Sequence, residues 1–226
     1  PKEKSLILDA GGGSGRWTLD FTYLGHHVVL LDFSRPMLRL AMEKIKRLLK
    51  AGVADLILAD IHHLPFPPET FDLIFVEADP FTQGGTKEEV LAALNQLYQV
   101  LKLEAFVVGS VSGRYATAAA EIEDAKTIQD VKRAIKVLET GEYQAVPGDP
   151  TSLLFLFTPS ELKKTLETIG FHVDKIESTI TLSHFLPKDL EQSDEALELL
   201  LKLEKSIREM PEVLPYSRRM HFAARK

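Results

Sequence analysis

The stretch Leu6-Ile-Leu-Asp-Ala-Gly-Gly-Gly-Ser-Gly-Arg16 decides the fold, because an apolar strand ends in an acidic residue and a glycine-rich turn that opens a helix. Glycine adopts backbone conformations closed to other residues and lets the main chain approach a ligand closely. A second apolar strand, residues 28–31, is followed by Asp32, where an acidic side chain can accept hydrogen bonds from both hydroxyls of a ribose. The two strand ends therefore indicate a nucleoside cofactor.

The glycine spacing argues against two common nucleotide sites. The dinucleotide fingerprint G-x-G-x-x-G, counted from Gly11, requires a small residue at position 16, where this chain has Arg16. The phosphate-binding pattern G-x-x-x-x-G-K-[ST] is absent, since no glycine is followed by lysine and then serine or threonine. NAD and nucleoside triphosphates are therefore disfavoured as ligands.

Strand and helix patterns alternate along the first half of the chain. The strand patterns are rich in Leu, Ile, Val and Phe with little alternation, as a parallel sheet buried on both faces requires. Right-handed crossovers then make the sheet doubly wound. We predict strands at about 5–9, 27–31, 55–59, 71–76 and 104–110, and helices at about 14–24, 35–50 and 87–101. The sequence therefore predicts an open α/β fold.

The last third of the chain carries its own start and stop signals. Thr158-Pro-Ser-Glu161 has the residues of a capping box, with proline in the first turn, and predicts a helix that ends at Gly170. Residues 171–176 follow as a strand. Residues 218–225 alternate, and we predict that they form a last edge strand.

Two segments do not belong to the minimal repeat. Residues 111–157 contain helical patterns around 116–124 and 127–140, and residues 187–209 form an acidic amphipathic pattern. Ligands of open α/β sheets bind beyond the carboxyl ends of the strands, and the first segment leaves from that edge. We therefore expect residues 1–110 to form a cofactor-binding core, 111–157 a helical lid over the acceptor, and 158–226 the completion of the sheet, with the helix at about 187–209 inserted.

Composition limits the function classes. The chain has 226 residues, of which 45% are hydrophobic, and no apolar run approaches the length needed to cross a bilayer, so we expect a cytoplasmic protein with no membrane span. The absence of cysteine excludes disulfides, thiol nucleophiles and cysteine-ligated iron–sulfur clusters. The net charge of −6 disfavours nucleic acid as a partner and favours a small molecule. The chain begins at Pro1 and enters a strand almost at once, so we expect a preceding segment to have been removed or omitted.

The segment Asp9-Ala-Gly-Gly-Gly-Ser-Gly15 resembles the Asp/Glu-x-Gly-x-Gly-x-Gly motif of class I S-adenosylmethionine-dependent methyltransferases. The resemblance extends through Asp32-Phe-Ser-Arg-Pro-Met-Leu38, Ala59-Asp60-Ile61 and a proline-containing turn before Phe71-Asp72. Within the family, this segment resembles the ubiquinone- and menaquinone-methyltransferase-like core (methyltransferase type 11). It implies a seven-stranded, mostly parallel, Rossmann-like sheet and an enzyme that converts S-adenosylmethionine to S-adenosylhomocysteine.

The resemblance also implies roles for particular residues. Gly11, Gly13 and Gly15 would hold the amino-acid tail and ribose against the backbone, with Asp9 holding the loop or meeting the ammonium group. Asp32 would accept the ribose hydroxyls, and Phe33 or Met37 would pack on the adenine or, alternatively, in the core. Asp60 would accept from the adenine amino group, and Ile61 would cover the ring. His62 and His63 have no third ligand at a suitable spacing, so we expect no metal there.

Glu77 and Asp79 follow the fourth strand and are the candidate catalytic carboxylates. Either could orient an acceptor, take its proton or offset the sulfonium charge, and Glu77 would thereby also touch the cofactor. The alternative is that they cap the helix predicted at 87. Residues that could bind the acceptor, or simply pack, are Arg114, Tyr115, Tyr143 and His184.

Three functions remain open from the sequence. The first is methyl transfer to a small-molecule acceptor. The second is methylation of tRNA, because Val111-Ser-Gly-Arg-Tyr115 and the long lid loosely resemble tRNA wobble-uridine carboxymethyl methyltransferases. The third is a non-catalytic protein that binds S-adenosylmethionine. The sequence does not distinguish the acceptor atom or the oligomeric state.

Overall fold

The computed structural model describes residues 4–149, 152–183 and 193–226. Within these ranges the strands are β1 Leu6–Ala10, β2 His27–Asp32, β3 Ala54–Leu58, β4 Phe71–Val76, β5 Leu101–Ser112, β6 Glu142–Gln144, β7 Leu153–Phe155, β8 His172–Ile180 and β9 Arg219–Arg225. The helices are α1 Arg16–Tyr23, α2 Arg35–Lys50, α3 Lys87–Val100, α4 Arg114–Glu123, α5 Ile128–Thr140, α6 Pro159–Ile169 and α7 Asp194–Ile207. Short 3-10 turns occupy Pro80–Thr82 and Leu214–Tyr216. None of the helices in the described ranges is long and apolar enough to cross a membrane.

Seven strands form one sheet in the order β3-β2-β1-β4-β5-β9-β8. The first five run parallel, whereas β9 pairs antiparallel with both β5 and β8. The predicted doubly wound, mostly parallel sheet is therefore confirmed. The prediction that residues 218–225 form an edge strand is wrong, because β9 lies between β5 and β8, and Met220, Phe222 and Ala224 on one of its faces are buried.

The sheet is covered on both faces. On one face, buried side chains of the strands pack with Leu94 and Leu97 of α3 and with Leu162 and Leu166 of α6. On the other face, Ile7, Val28 and Leu73 pack with Phe21 of α1. Burial on both faces explains why the parallel strands read as continuous apolar runs.

Most predicted boundaries hold to within two residues, but β8 ends at Ile180 instead of about 176, and β5 begins three residues early. The strand begins at Leu101 instead of about 104, because Leu101 leaves α3 directly in an extended conformation and pairs with Phe71. At the C-terminal side, Thr158 and Glu161 form the predicted capping box of α6, and Gly170 ends that helix in a left-handed conformation. Residues 187–192 of the predicted inserted helix lie outside the described residues, and α7 accounts for Asp194–Ile207.

The predicted lid segment contains α4, α5 and the hairpin of β6 and β7. The hairpin is attached to the loop after β4, since the Gly84 N–H donates to the Leu153 carbonyl at 3.2 Å. The start of α4 is attached to the returning chain, since the Arg114 N–H donates to the Phe157 carbonyl at 2.9 Å. These contacts place the insertion beside the carboxyl ends of β4 and β5.

Candidate active site

A cavity of about 530 Å³ opens over the carboxyl ends of β1, β2, β3 and β4. It lies where consecutive parallel strands present their loops, which is the usual ligand position in open α/β sheets. The part of its wall that comes from the four strand ends is formed by Gly11, Leu31, Asp32, Phe33, Ala59, Asp60, Ile61, Glu77, Ala78 and Pro80, and the rest by His62, His63, Gln83, Gly84, Glu89 and Ala92. Residues predicted from four separate motifs therefore share one cavity.

The glycine-rich loop is attached to the end of β2. The N–H groups of Gly11 and Gly12 donate to the Leu31 carbonyl at 2.7 and 3.1 Å, and the Gly13 N–H donates to Oδ2 of Asp32 at 2.8 Å. Gly13 has a positive φ of 53°, and a Cβ placed there would meet no heavy atom within 4 Å. The loop therefore offers open space directly above its backbone.

Asp32 is 7% exposed and lies at the centre of this arrangement. Besides Gly13 on Oδ2, its Oδ1 accepts from the Ser34 N–H at 2.8 Å. Ser34 caps α2, so the Asp32 side chain is not needed as the helix cap. Each carboxylate oxygen can accept a second hydrogen bond, so both remain able to receive a hydroxyl from the cavity.

Asp60 is held by the residue two positions later. Its Oδ1 accepts from the His62 N–H at 2.9 Å and lies 2.7 Å from Nδ1 of His62. Burial raises the pKa of Asp60, but these two hydrogen bonds and the charges of His62 and His63 outweigh it, so the pKa is lowered. Asp60 therefore stays an anionic acceptor on the cavity wall. In the described ranges, no group of three or more metal-binding side chains is arranged to hold a metal ion.

Asp9 lies beneath the glycine-rich loop and not on the cavity wall. Its side chain accepts from Oγ1 of Thr18 at 2.6 Å, and a Cβ at Gly12 would lie 2.7 Å from its Cγ. Burial is the largest influence on its carboxyl and raises its pKa from 3.8 to about 6, even though Thr18 donates to it. This geometry matches the loop-holding alternative for Asp9, and contact with a cofactor ammonium stays a prediction.

We expect Asp9→Asn to remove a pH dependence of stability. The unfolded carboxyl releases its proton near pH 4 and the folded one near pH 6, so the folded state binds more protons between them. The free energy of unfolding of the wild type therefore falls as the pH rises through this window, by about 3 kcal/mol in all. Asparagine stays neutral and can still accept from Thr18, so urea denaturation from pH 4 to 8 should show the variant gaining stability relative to wild type.

Asp20→Asn is the matched control, because Asp20 is an exposed carboxylate on α1. Asp20→Asn also replaces one carboxylate by an amide, but the carboxylate that it removes is exposed to solvent. Parallel profiles of wild type and Asp9→Asn across the window would contradict the prediction.

Glu77 lines the cavity and also contacts two neighbouring strands. Its Oε1 accepts from Oγ of Ser110 on β5 at 2.6 Å and lies 3.4 Å from Nε2 of His221 on β9. Burial raises the pKa of Glu77, but hydrogen bonds from His221 and Ser110 and the charges of His221 and Arg219 outweigh it, so the pKa is lowered. Glu77 is therefore an anion at the cavity wall. We call Glu77, Ser110 and His221 the polar row.

Asp79 is buried and engaged by β5 and β9. Its Oδ1 accepts from the Ser112 N–H at 2.6 Å, and its Oδ2 accepts from Oγ of Ser112 at 2.8 Å and lies 3.2 Å from Nη2 of Arg219. The helix-capping alternative is wrong for both carboxylates, because Thr86 and Glu89 form the capping box of α3. Asp79 holds the carboxyl end of β4 to the adjacent strands, and its catalytic role stays a prediction.

The remaining predicted residues occupy different environments. Phe33 lines the cavity and is 61% exposed, whereas Met37 lies on the exposed first turn of α2 and does not belong to the wall. Arg114 is buried, with its guanidinium donating to the Leu156 carbonyl and lying 2.7 Å from Oε2 of Glu161. It therefore fastens the insertion instead of facing an acceptor.

Two tyrosines and one histidine complete the predicted set. Tyr115 is half exposed on α4. Tyr143 donates its hydroxyl to Oε1 of Glu121 at 3.0 Å, and burial together with Glu121 raises its pKa to about 12. It belongs to a second cavity, between the hairpin and α5, that shares Gly84 with the first. His184 lies outside the described residues.

Sequence reasoning missed Ser110, Arg219 and His221. They come from the fifth and the last strands, far from the motifs in sequence. The parallel pairing of β4 with β5 brings Ser110 to Glu77, and the antiparallel pairing of β9 with β5 adds Arg219 and His221. The available signal is the two-residue period that places Arg219 and His221 on one face of the strand. That signal becomes useful only when the neighbour of the strand is known.

The chain is similar to known methyltransferases. Residues 7–104 match the model of a methyltransferase domain. The ubiquinone/menaquinone biosynthesis C-methyltransferase UbiE of Pasteurella multocida is 32% identical over 99 residues, which cover 42% of this chain and 35% of that protein. The matched stretch thus spans about a third of the length of this curated relative.

Solved structures share the whole fold. An S-adenosylmethionine-dependent methyltransferase of Methanosarcina mazei has a TM-score of 0.67 at 18% identity, covering 100% of this chain and 94% of that one. The 1,6-didemethyltoxoflavin-N1-methyltransferase of Burkholderia thailandensis, with bound 1,6-didemethyltoxoflavin and S-adenosylhomocysteine, has a TM-score of 0.57 at 15% identity, covering 99% and 72%. The domain match, the strand order and the glycine-rich loop agree: residues 7–104 are similar to a methyltransferase domain, and the fold is that of S-adenosylmethionine-dependent methyltransferases.

Proposed function

We propose that this chain transfers the methyl group of S-adenosylmethionine to a small-molecule acceptor. The observation that carries the proposal is the convergence of Gly11, Asp32, Asp60 and Glu77 on one cavity at four consecutive strand ends. A structural turn alone would not require acidic side chains at the ends of three further strands. The family match over residues 7–104 supports the same reaction.

The residues present fit the cofactor. The cavity volume of about 530 Å³ lies within the usual range for sites of small molecules. Gly13 leaves space that a Cβ would fill, and Asp32 keeps acceptor capacity on both oxygens. S-adenosylmethionine supplies an electrophilic methyl group on a sulfonium, so the protein needs no covalent intermediate.

The proposed roles follow the strand ends. Asp32 would accept the ribose hydroxyls, with Gly11, Gly13 and Gly15 carrying the loop on which the tail and ribose lie. Asp60 would accept from the adenine amino group, with Ile61 covering the ring and Phe33 or Met37 packing beside it. Asp9 lies beneath the loop and would hold it or, alternatively, meet the ammonium group.

Positioning then accounts for most of the rate. Holding an acceptor in near-attack geometry can lower a barrier by about 7–11 kcal/mol at best. We propose that residues 111–157 act as the lid over the acceptor, because the hairpin of β6 and β7 is fastened to Gly84 on the cavity wall. The net charge of −6 favours a small acceptor, as does the small molecule bound in the Burkholderia methyltransferase.

Two measurements test the proposal together. Calorimetry should give micromolar binding of S-adenosylmethionine and no binding of NAD. Formation of S-adenosylhomocysteine should then be measured with a panel of hydroxylated aromatic compounds, carboxylic acids, amines and tRNA that carries a carboxymethylated wobble uridine. Binding followed by transfer to a small molecule supports the proposal. Binding without transfer to any acceptor favours a non-catalytic protein, and transfer to tRNA alone favours the nucleic-acid alternative. Binding of NAD would overturn the assignment of S-adenosylmethionine as the cofactor.

A further inference from the structure

We propose that His221, held by Glu77, takes the proton from the hydroxyl of the methyl acceptor. The proposal rests on the proposed function and adds a catalytic residue and an acceptor class to it. Glu77 belongs both to the cavity wall and to the polar row, so the imidazole of His221 lies one side chain away from the cavity. A carboxylate that holds one ring nitrogen of a histidine fixes the ring and leaves the other nitrogen for proton transfer.

The contacts of Glu77 fix its carboxylate across three strands. Oε1 accepts from Oγ of Ser110 at 2.6 Å and lies 3.4 Å from Nε2 of His221. Ser110 is itself fixed, because its hydroxyl accepts from the Ala78 N–H and from Nη1 of Arg219, each at 3.1 Å. The carboxylate is therefore positioned by the sheet and not by a flexible loop.

Two further charged side chains lie near this pair, and the charge of Arg219 contributes to lowering the pKa of Glu77. Glu177 lies opposite His221 on β8, but its carboxylate is engaged by Nζ of Lys175 at 2.7 Å and by Nε of Arg208 at 3.5 Å. Arg219 is engaged by Asp79 at 3.2 Å. His221 thus faces one available carboxylate, and its side chain is 40% exposed, so an acceptor can reach the ring.

The surface beside the polar row suits an acceptor with an apolar body. Phe75, Val108 and Ala223 are partners in register on three adjacent strands, each two residues before or after a member of the polar row. Such positions share one face of a sheet. These three side chains are half-buried. Phe75 packs against Trp17 and Phe21 of α1 with ring centroids 5.1 and 5.2 Å apart, and Val108 packs against the buried cluster that contains Leu73, so the exposed part of this group is what an acceptor could contact.

The reacting group of the acceptor follows from the strength of the base. An imidazole can remove a proton from a phenol-type hydroxyl, whose pKa is about 10, far more readily than from an ordinary alcohol. In the proposed step the acceptor oxygen forms a bond to the methyl carbon as the carbon–sulfur bond breaks, and sulfur leaves as a neutral thioether. The hydroxyl proton passes to Nδ1 of His221 and then to water.

The first test needs no turnover. In the full chain saturated with S-adenosylhomocysteine, the imidazole signals of His221 are assigned by their loss in His221→Gln. Titration with 1,4-dihydroxynaphthalene, kept reduced, should shift these signals. His172 is the matched control, because its Nε2 lies 3.4 Å from Oδ1 of Asp174, the same His–carboxylate separation, but 72% of its side chain is exposed on β8. Its signals should not move.

The second test measures transfer to the same compound. His221→Gln should lower kcat at least about 100-fold, while the Kd of S-adenosylmethionine stays within twofold and His172→Gln keeps the wild-type rate. Added imidazole should restore part of the rate of His221→Ala, which a merely structural role would not allow. Glu77→Gln should lower kcat as well, because the ring of His221 loses its anionic partner.

The outcomes separate a failure of the proposed function from a failure of the role of His221. Absence of S-adenosylmethionine binding by the wild type would overturn the proposed function and this role with it. Cofactor binding with unmoved His221 signals would overturn this role alone. Three other results would also overturn this role. They are His221 signals that move although the wild type transfers no methyl group to the compound, a His221→Gln rate within threefold of the wild-type rate, and no rescue of His221→Ala by imidazole.

Discussion

Replacing Asp32 by alanine is expected to weaken binding of S-adenosylmethionine by about 1–3 kcal/mol, which raises the Kd about 5- to 150-fold. The carboxylate lies on the cavity wall and is 7% exposed, so hydrogen bonds that it accepts from a ribose would be poorly replaced by water. The substitution also removes the acceptor of the Gly13 N–H at 2.8 Å and so loosens the loop that would carry the cofactor. Calorimetry on the purified variant gives the Kd directly.

Two further variants separate the possible causes. Asp32→Asn keeps one carbonyl oxygen and should weaken binding less than alanine does. Asp55→Ala removes an exposed carboxylate on the adjacent strand, 2.8 Å from His27, and should leave the Kd unchanged. An Asp32→Ala variant that binds as tightly as the wild type would remove Asp32 from the site.

The sequence predicts the part of the site that is local in the chain. Gly11, Asp32 and Asp60 each lie at the end of an apolar strand or within two residues of it, so one segment contains both the element and its functional residue. Because consecutive parallel strands end at the same edge of the sheet, the convergence of these residues could be inferred without coordinates. Their burial and hydrogen bonds could not.

The part of the site that depends on strand order was missed. His221 reaches Glu77 because β9 pairs with β5, and the alternation of residues 218–225 does not show which strand lies beside it. Asp79 appeared equivalent to Glu77 in sequence, yet a left-handed backbone at residues 78 and 79 turns it toward Ser112 and Arg219. Local patterns do not contain these long-range partners.

Gly11→Ala should combine a loss of stability with a loss of cofactor affinity. Gly11 has a φ of 72°, and a Cβ there would lie 2.6 Å from Cβ and Cγ of Pro80. The left-handed conformation costs about 1–2 kcal/mol for a residue with a Cβ, and overpacking adds about 1–3 kcal/mol. Because both residues line the cavity, relief of the overlap must displace a wall of the proposed cofactor site.

Two other glycines separate the strain from the overlap. Gly52, between α2 and β3, has a φ of 65°, and a Cβ added there would meet no heavy atom within 4 Å, so Gly52→Ala should lose only about 1–2 kcal/mol of stability and keep the wild-type Kd. Gly13→Ala should match Gly52→Ala in stability, because its φ is 53° and its Cβ would also meet nothing within 4 Å.

Gly13→Ala should differ from Gly52→Ala in affinity, since its Cβ would enter the space assigned to the cofactor. Urea denaturation and calorimetry on all three variants, at a temperature where each is folded, give the comparison. Equal losses of stability in Gly11→Ala and Gly52→Ala would refute the overlap between the added Cβ at position 11 and Pro80. An unchanged Kd for Gly13→Ala would refute the assignment of that space to the cofactor, because a methyl group there occupies a position that the bound ligand would need.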